Sequence, residues 1–370
     1  MNSKKKARGL FVSHRKAFCS IYESGKMVYE ALRGQNSFQL DYTEISFEQR
    51  TLPCRYDFYL FNYHYLTMSW LNVRCLSELA GAKIALVFEV APGDPFVLCP
   101  ADVFDAYCVL DPSLKYPDRR VYSFPRPLEI ASNPLPYTEK EVPVIGSFGF
   151  ATPGKGFDLV VDAVNREFEE AIVRFNIPYG TYVDDAYRDL HKQNYADYLA
   201  DLCRRTAREG VEVIVTRDYM SKEDLIAWCG QNTLNCFLYN RNQPGLAATT
   251  DQAISSGRPL AVSQNDTFRH IHQYVTPYPC RSLAESIAVS QAEVFRMQQD
   301  WSSSRFAERF KMLLDDLGVF SKLQDKPSQF GSFELSVHKP KSWLRLKLDR
   351  YLHLMNKIIN KLFKKRVVSA

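Results

Sequence analysis

The sequence predicts a mixed α/β chain of two doubly wound parallel-sheet domains facing each other across a cleft. Three observations carry this prediction. Short apolar runs of strand type alternate with helical stretches, the alternation occurs twice, and a proline-rich stretch separates the two rounds. At 370 residues the chain suits two domains of ordinary size better than one core. In such folds ligands bind beyond the carboxyl ends of the strands, so loops at those ends are where chemistry is sought.

In the first round GLFVS (9–13) reads as a strand and SGKMVYEALR (24–33) as a helix. DFYLFNYH (57–64), AKIALVFEV (82–90) and FDAYCVLD (104–111) read as further buried strands, each ending in polar residues. Prolines at 112, 117, 125, 127, 134 and 136 then argue against regular structure. The second round opens with PVIGSFGF (143–150), a strand and Gly-rich turn, followed by the amphipathic helix GFDLVVDAVNREF (156–168). AIVRFNIP, VEVIVTR and TLNCFLYN follow as strands, with helices at about 184–208 and 221–229. The expected partition is 1–123 for the first domain, 124–142 for a linker and 143–317 for the second domain. A connecting segment (318–341) and a basic tail (342–370) complete it.

Composition narrows the function classes. A charged content of 24% and hydrophobic content of 46% are globular values. The nine cysteines are scattered with no CxxC pair, which predicts reduced thiols in a cytoplasmic protein and no structural zinc. The N-terminus lacks the apolar core of a signal peptide, and no window is long and apolar enough for a membrane span. From His338 onward ten Lys or Arg face one acid, which leaves 37 bases and 41 acids elsewhere. The overall charge of +5 thus belongs to the tail, and a nucleic-acid partner, which needs a basic body, is not expected.

Three stretches of the second domain carry the candidate chemistry. In GSFGFATPGKGFDLV (146–160), Gly149 and its neighbouring glycines let backbone amides approach a ligand, and Lys155 precedes a helix N-terminus suited to anions. The stretch matches neither the P-loop, which closes on GK[ST], nor GxGxxG, so ATPase and nicotinamide-oxidoreductase readings find no support. In RDYMSKEDLIAW (217–228), Ser221 and Asp224 form a helix cap, and Tyr219 and Met220 lie in the turn ahead of it, placed to line a base pocket. In RNQPGLAATTDQAISSGRPLAVS (241–263), Gly245 allows a tight turn before a short helix over 247–256. Thr249, Thr250 and Asp251 in its first turns are placed to hold phosphate oxygens, although Asp251 would equally complement the helix dipole.

At these three places together the chain resembles the retaining, family-four glycosyltransferases of the GT-B fold. In that family a Gly-rich strand-turn ends in Lys-Gly before a helix, as in GKGFDLVVDAV. A turn before a capped helix touches the base, as in DYMSKEDL, and a Glu-x7-Glu element precedes a Gly-x-Pro strand, as in PGLAATTDQAISSGRPLAV. FCSIYESGKMVYEAL also looks like the family's first loop and helix. The resemblance runs through roughly 9–317 and implies two Rossmann-like domains and transfer of a sugar from a nucleoside-diphosphate donor. The acceptor would be a glycan or lipid-linked molecule in cell-surface polysaccharide synthesis, with no cofactor or metal. The chain departs from the family at the acidic pair: the matching places read Pro244 and Gln252, with Asp251 one step away. Gln252 can still donate and accept hydrogen bonds. Lys155 matches the family's diphosphate cation, and Arg241 or Arg258 is the candidate for the second.

In the first domain His14 and His64 follow predicted strands, as does Glu89, and a His or Glu there could orient or deprotonate an acceptor hydroxyl. The expected catalytic residues are therefore His64, Glu89 and Asp251. The expected donor-binding residues are Gly149, Lys155, Tyr219, Met220, Arg241, Gly245, Thr249, Thr250 and Gln252. The tail SWLRLKLDRYLHLMNKIINKLFKKR (342–366) spaces its apolar residues as a basic amphipathic helix, which suits an anionic membrane surface as well as a docked arm. The altered acidic pair keeps a second reading open: a non-catalytic scaffold of the same fold that binds a partner transferase or the membrane.

Overall fold

The computed structural model describes residues 6–15, 19–64, 67–88, 103–130, 138, 140–180, 194–241, 245–321, 323 and 331–338. Glu89, Pro244 and the amphipathic tail of 342–366 lie outside the described residues.

Two parallel sheets form, as the alternation predicts. The first comprises β1 (Ala7–His14), β2 (Phe38–Ile45), β4 (Phe58–Tyr63), β5 (Ala82–Val87), β6 (Ala106–Val109) and β7 (Val121–Ser123), in the order β2-β1-β4-β5-β6-β7. The second comprises β8 (Val144–Phe148), β9 (Ala171–Asn176), β10 (Val211–Thr216), β11 (Leu234–Phe237) and β12 (Leu260–Val262), in the order β10-β9-β8-β11-β12. A short strand β3 (Thr51–Pro53) pairs antiparallel with β13 (Ser332–Glu334). Every residue of FYLFNY in β4 and of VIGSF in β8 is buried, because a parallel sheet is covered on both faces.

The helices are α1 (Ser20–Leu32), α2 (Phe157–Glu167), α3 (Tyr195–Thr206), α4 (Lys222–Gly230), α5 (Thr249–Ser255), α6 (Leu283–Asp300) and α7 (Ser303–Asp316). In α2, Phe157, Val160, Val161 and Val164 line one face and are buried against the second sheet. The helix expected at 184–208 is described from Tyr195, and α5 is shorter than the 247–256 expected. In both sheets the first strand of the round is internal, β1 between β2 and β4 and β8 between β9 and β11, so the strand order reverses there. The carboxyl end at such a reversal is where this class of fold is expected to bind ligands.

The chain passes between the two cores over very few residues. Phe124 is buried in the first core and Leu128 in the second; on the return, Trp301 belongs to the second and Phe306 to the first. The two crossings touch, with the Leu128 amide donating to the Trp301 carbonyl at 2.8 Å. Helix α7, which the sequence places in the 143–317 stretch, buries Phe306, Phe310, Leu313 and Leu314 with the first sheet rather than the second. Its apolar face matches the uncovered side of α1 and β2, a match that periodicity alone cannot locate.

Candidate functional site

The Gly-rich turn after β8 sits at the reversal point of the second sheet. Gly149 has φ +133, and a Cβ there would lie 3.4 Å from both the Lys155 ammonium and the Thr249 methyl, so its bareness keeps open the space where those two groups meet. Gly154 (φ +78) and Gly156 (φ +66) press the rest of the loop onto the end of β11. A Cβ at Gly154 would come 2.7 Å from that of Arg241, and one at Gly156 would overlap the Leu238 carbonyl.

This packing delivers the Lys155 side chain to Tyr239. The ammonium donates to the Tyr239 hydroxyl at 2.9 Å and lies 4.5 Å from the ring centroid. Tyr239 is 2% exposed, and its hydroxyl is also 2.9 Å from the Thr249 hydroxyl at the start of α5. The Arg241 guanidinium lies 5.4 Å from the same ring, and its buried Nε has no hydrogen-bond partner. Among the described residues neither Lys155 nor Arg241 has a carboxylate within ion-pair distance. Two cations therefore converge on one buried phenol with their charge uncompensated, a setting that attracts an anion of more than one charge.

The next two residues of α5 turn away from this cluster. Thr250 is fully buried, and its hydroxyl donates to the Ala247 carbonyl at 2.8 Å and contacts His270 at 3.4 Å. Asp251 is held by a fork from Arg126: Nε to Oδ2 at 2.9 Å and Nη2 to Oδ1 at 3.0 Å. Burial pushes the Asp251 carboxyl above its ordinary value, and the guanidinium offsets part of that push. Thr250 and Asp251, expected to hold phosphate oxygens and in the case of Asp251 to be catalytic, thus have their side chains engaged with buried partners in this structure. Gln252 lines a small crevice with Met27, Leu128, Glu129, Lys222 and Asp251.

Tyr219 is 68% exposed, with its ring 6.4 Å from that of Phe150 on the neighbouring turn, and Met220 packs against the second core. Asn176 at the end of β9 fixes that turn, donating to the Asp218 carbonyl and accepting from its amide, both at 3.0 Å. Ser221 caps α4 by accepting from the Asp224 amide at 3.1 Å, which is its ordinary structural role. Gly245 lies in the bend leading to α5.

At the carboxyl edge of the first sheet, His14 is the last residue of β1 and His64 follows β4, its neighbour in the sheet. His14 is buried, with its ring edge-on to Tyr22 at 5.9 Å, and the His64 carbonyl accepts from the Met68 amide at 2.9 Å. Beside them the Tyr22 and Tyr42 hydroxyls both donate to Glu44 Oε1, at 2.6 and 3.0 Å. The bond to Glu44 raises the Tyr22 phenol above its ordinary pKa.

Sequence reasoning missed Tyr239, Arg126, Asn176 and the buried pair Asp111–Arg269, in which Arg269 Nη2 meets Asp111 Oδ2 at 2.7 Å. Each becomes visible only when residues far apart in the chain are brought together. Among the described residues no group of three or more His, Cys, Asp or Glu is placed to hold a metal, and no helix is long and apolar enough to cross a membrane.

No family model matches the chain, and no curated protein matches it in sequence. Its similarity to solved structures is extensive. HepE of Anabaena, solved with UDP and glucose, is 11% identical and covers 84% of this chain and all of its own, with a TM-score of 0.54. An E. coli structure described as trehalose-6-phosphate bound with UDP-2-fluoro glucose is 12% identical, covers 87% of this chain and all of its own, and has a TM-score of 0.55. A glycosyltransferase of Rickettsia africae is 9% identical, covers 84% of this chain and 99% of its own, and has a TM-score of 0.52. With its two Rossmann-like parallel-sheet domains, the chain shares the fold of these structures, the GT-B fold.

Proposed function

We propose that the chain is a glycosyltransferase that takes a sugar from a nucleoside-diphosphate donor and passes it to a glycan or lipid-linked acceptor in cell-surface polysaccharide synthesis. One observation carries the reading: Lys155 and Arg241 converge on Tyr239 without an acidic partner, at the sheet reversal where a ligand crevice is expected. The charge that develops on a departing diphosphate must be stabilised in the transition state, and two fixed cations do this without reorganising. Tyr219 and Met220 would take the base, and His64 and Glu89 would face the acceptor. Two neighbours were solved with UDP or a UDP-sugar analogue, which makes UDP the first nucleotide to try.

The test is thermal stability against UDP, GDP, ADP, TDP and CMP, with Lys155→Ala beside the wild type. A ligand at 100 times its dissociation constant stabilises by about 2.7 kcal/mol. We expect one diphosphate to shift the wild type and not the variant.

The second reading, a non-catalytic scaffold, is favoured by the engagement of Asp251 with Arg126, which leaves position 251 without a free acid. It predicts no shift with any nucleotide. Attachment to the cytoplasmic face of a membrane through 342–366 is a further part of the proposal. It predicts co-sedimentation with vesicles that contain anionic lipid and none with neutral ones.

A further inference from the structure

Arg126 lies at the middle of the first crossing, two residues after Phe124 in one core and two before Leu128 in the other. It is 9% exposed and makes three bonds to one turn of chain: the fork on Asp251 and a 2.9 Å bond from Nη2 to the Ala247 carbonyl. The same carbonyl accepts the Thr250 hydroxyl, so the turn from 247 to 251 is fixed from the linker side. Thr249, on the outward face of that turn, meets the Tyr239 hydroxyl at 2.9 Å, and Tyr239 meets the Lys155 ammonium at 2.9 Å.

A buried ion pair is a weak source of stability, because desolvation offsets most of its attraction. What a planar guanidinium fork supplies is geometry. Cationic sites need that, since a displacement of about 1 Å at a reacting group is enough to cost two orders of magnitude in rate.

We propose that Arg126 is a positioning residue for the nucleoside-diphosphate site: it ties the crossing between the two cores to the first turn of α5. Through Thr249 and Tyr239 it sets the place of the Lys155 ammonium. The inference rests on the donor reading above and adds to it a link between the pivot of the two domains and the diphosphate cation.

The experiment is a double-mutant cycle on the full chain, with UDP and the other nucleoside diphosphates titrated by calorimetry. Arg126→Lys keeps the buried charge and loses the fork, and Tyr239→Phe removes the relay hydroxyl while leaving the ion pair intact. Each single variant is expected to weaken binding about tenfold while keeping a cooperative melt, and Arg126→Lys is expected to cost less than about twofold once Tyr239 is Phe. A residue that only stabilises the fold would lower the melting point and leave the affinity unchanged. Wild-type affinity in Tyr239→Phe overturns the inference even if Arg126→Lys does not fold, and so do additive losses in the cycle. If the wild type binds none of the diphosphates, the donor reading itself fails and the inference falls with it.

Discussion

The two domains repeat one plan, yet their loop edges differ in how far their polar groups are satisfied. At the carboxyl edge of the first sheet most of the described polar groups answer one another, the buried Asn62 Oδ1 being left without a partner. The buried Asn62 amide donates to Ser13 and to the Ile21 carbonyl, Tyr22 and Tyr42 share Glu44, and Asp111 holds both Ser113 and Arg269. At the matching edge of the second sheet, Lys155 and Arg241 share a phenol and no acid. Neither cation is paired with an acid among the described residues, which is the arrangement the proposed diphosphate site requires. The same contrast recurs within α5, where Thr249 faces the cations while Thr250 and Asp251 face buried partners.

The strongest way to break this comparison is to remove a partner on the satisfied face of α5. Asp251→Ala leaves the Arg126 guanidinium buried and unpaired, and is expected to cost about 3–5 kcal/mol in urea unfolding. Lys155→Ala removes a charge that has no acidic partner, and is expected to change stability by less than about 1 kcal/mol. Equal losses in the two variants would mean that Lys155 is a structural cation after all.

A smaller effect comes from His270, which is 2% exposed, stacked on Trp301 at 5.7 Å and in contact with Thr250. Burial, together with the positive charge of Arg126 and Arg269, lowers its pKa well below the ordinary 6.5. The unfolded chain therefore binds a proton near that pH while the folded chain does not, so stability present above pH 6.5 is lost as the pH falls. The loss is about 1.4 kcal/mol per pH unit until the folded group itself titrates. Urea unfolding from pH 7 to pH 5 is expected to show this slope in the wild type and a shallower one in His270→Gln. Parallel slopes would show that His270 does not stay neutral in the fold.

The fold and the turn that carries Lys155 are legible in the sequence because both are local. Apolar runs of one length mean buried strands, and glycines on either side of a lysine before an amphipathic helix mark a close-packed turn. Three successive residues at a helix start are harder, because Thr249, Thr250 and Asp251 differ only in direction. Direction depends on what lies across from each, and for Asp251 that is Arg126, 125 positions away. The proline-rich composition around Arg126 reads as a plain connector, so its buried fork has no local signal at all. Tyr239 is likewise indistinguishable from any other aromatic at a strand end until Lys155 is folded onto it.

The mildest substitution sharpens the comparison most, because it separates the base from the diphosphate. Tyr219 is 68% exposed, so Tyr219→Ala is expected to change stability by no more than about 0.5 kcal/mol. A base stacked on its ring gains roughly 1 kcal/mol, the low end for such contacts because the ring has a solvent side. Nucleoside-diphosphate affinity in Tyr219→Ala should then fall about fivefold, while affinity for inorganic pyrophosphate, which has no base, stays unchanged. Lys155→Ala should weaken both ligands alike, since both present the diphosphate. If Tyr219→Ala weakens pyrophosphate as much as the nucleotide, the ring orders the cation site rather than holding a base. The second edge would then contain a single anion site with no separate place for the nucleoside.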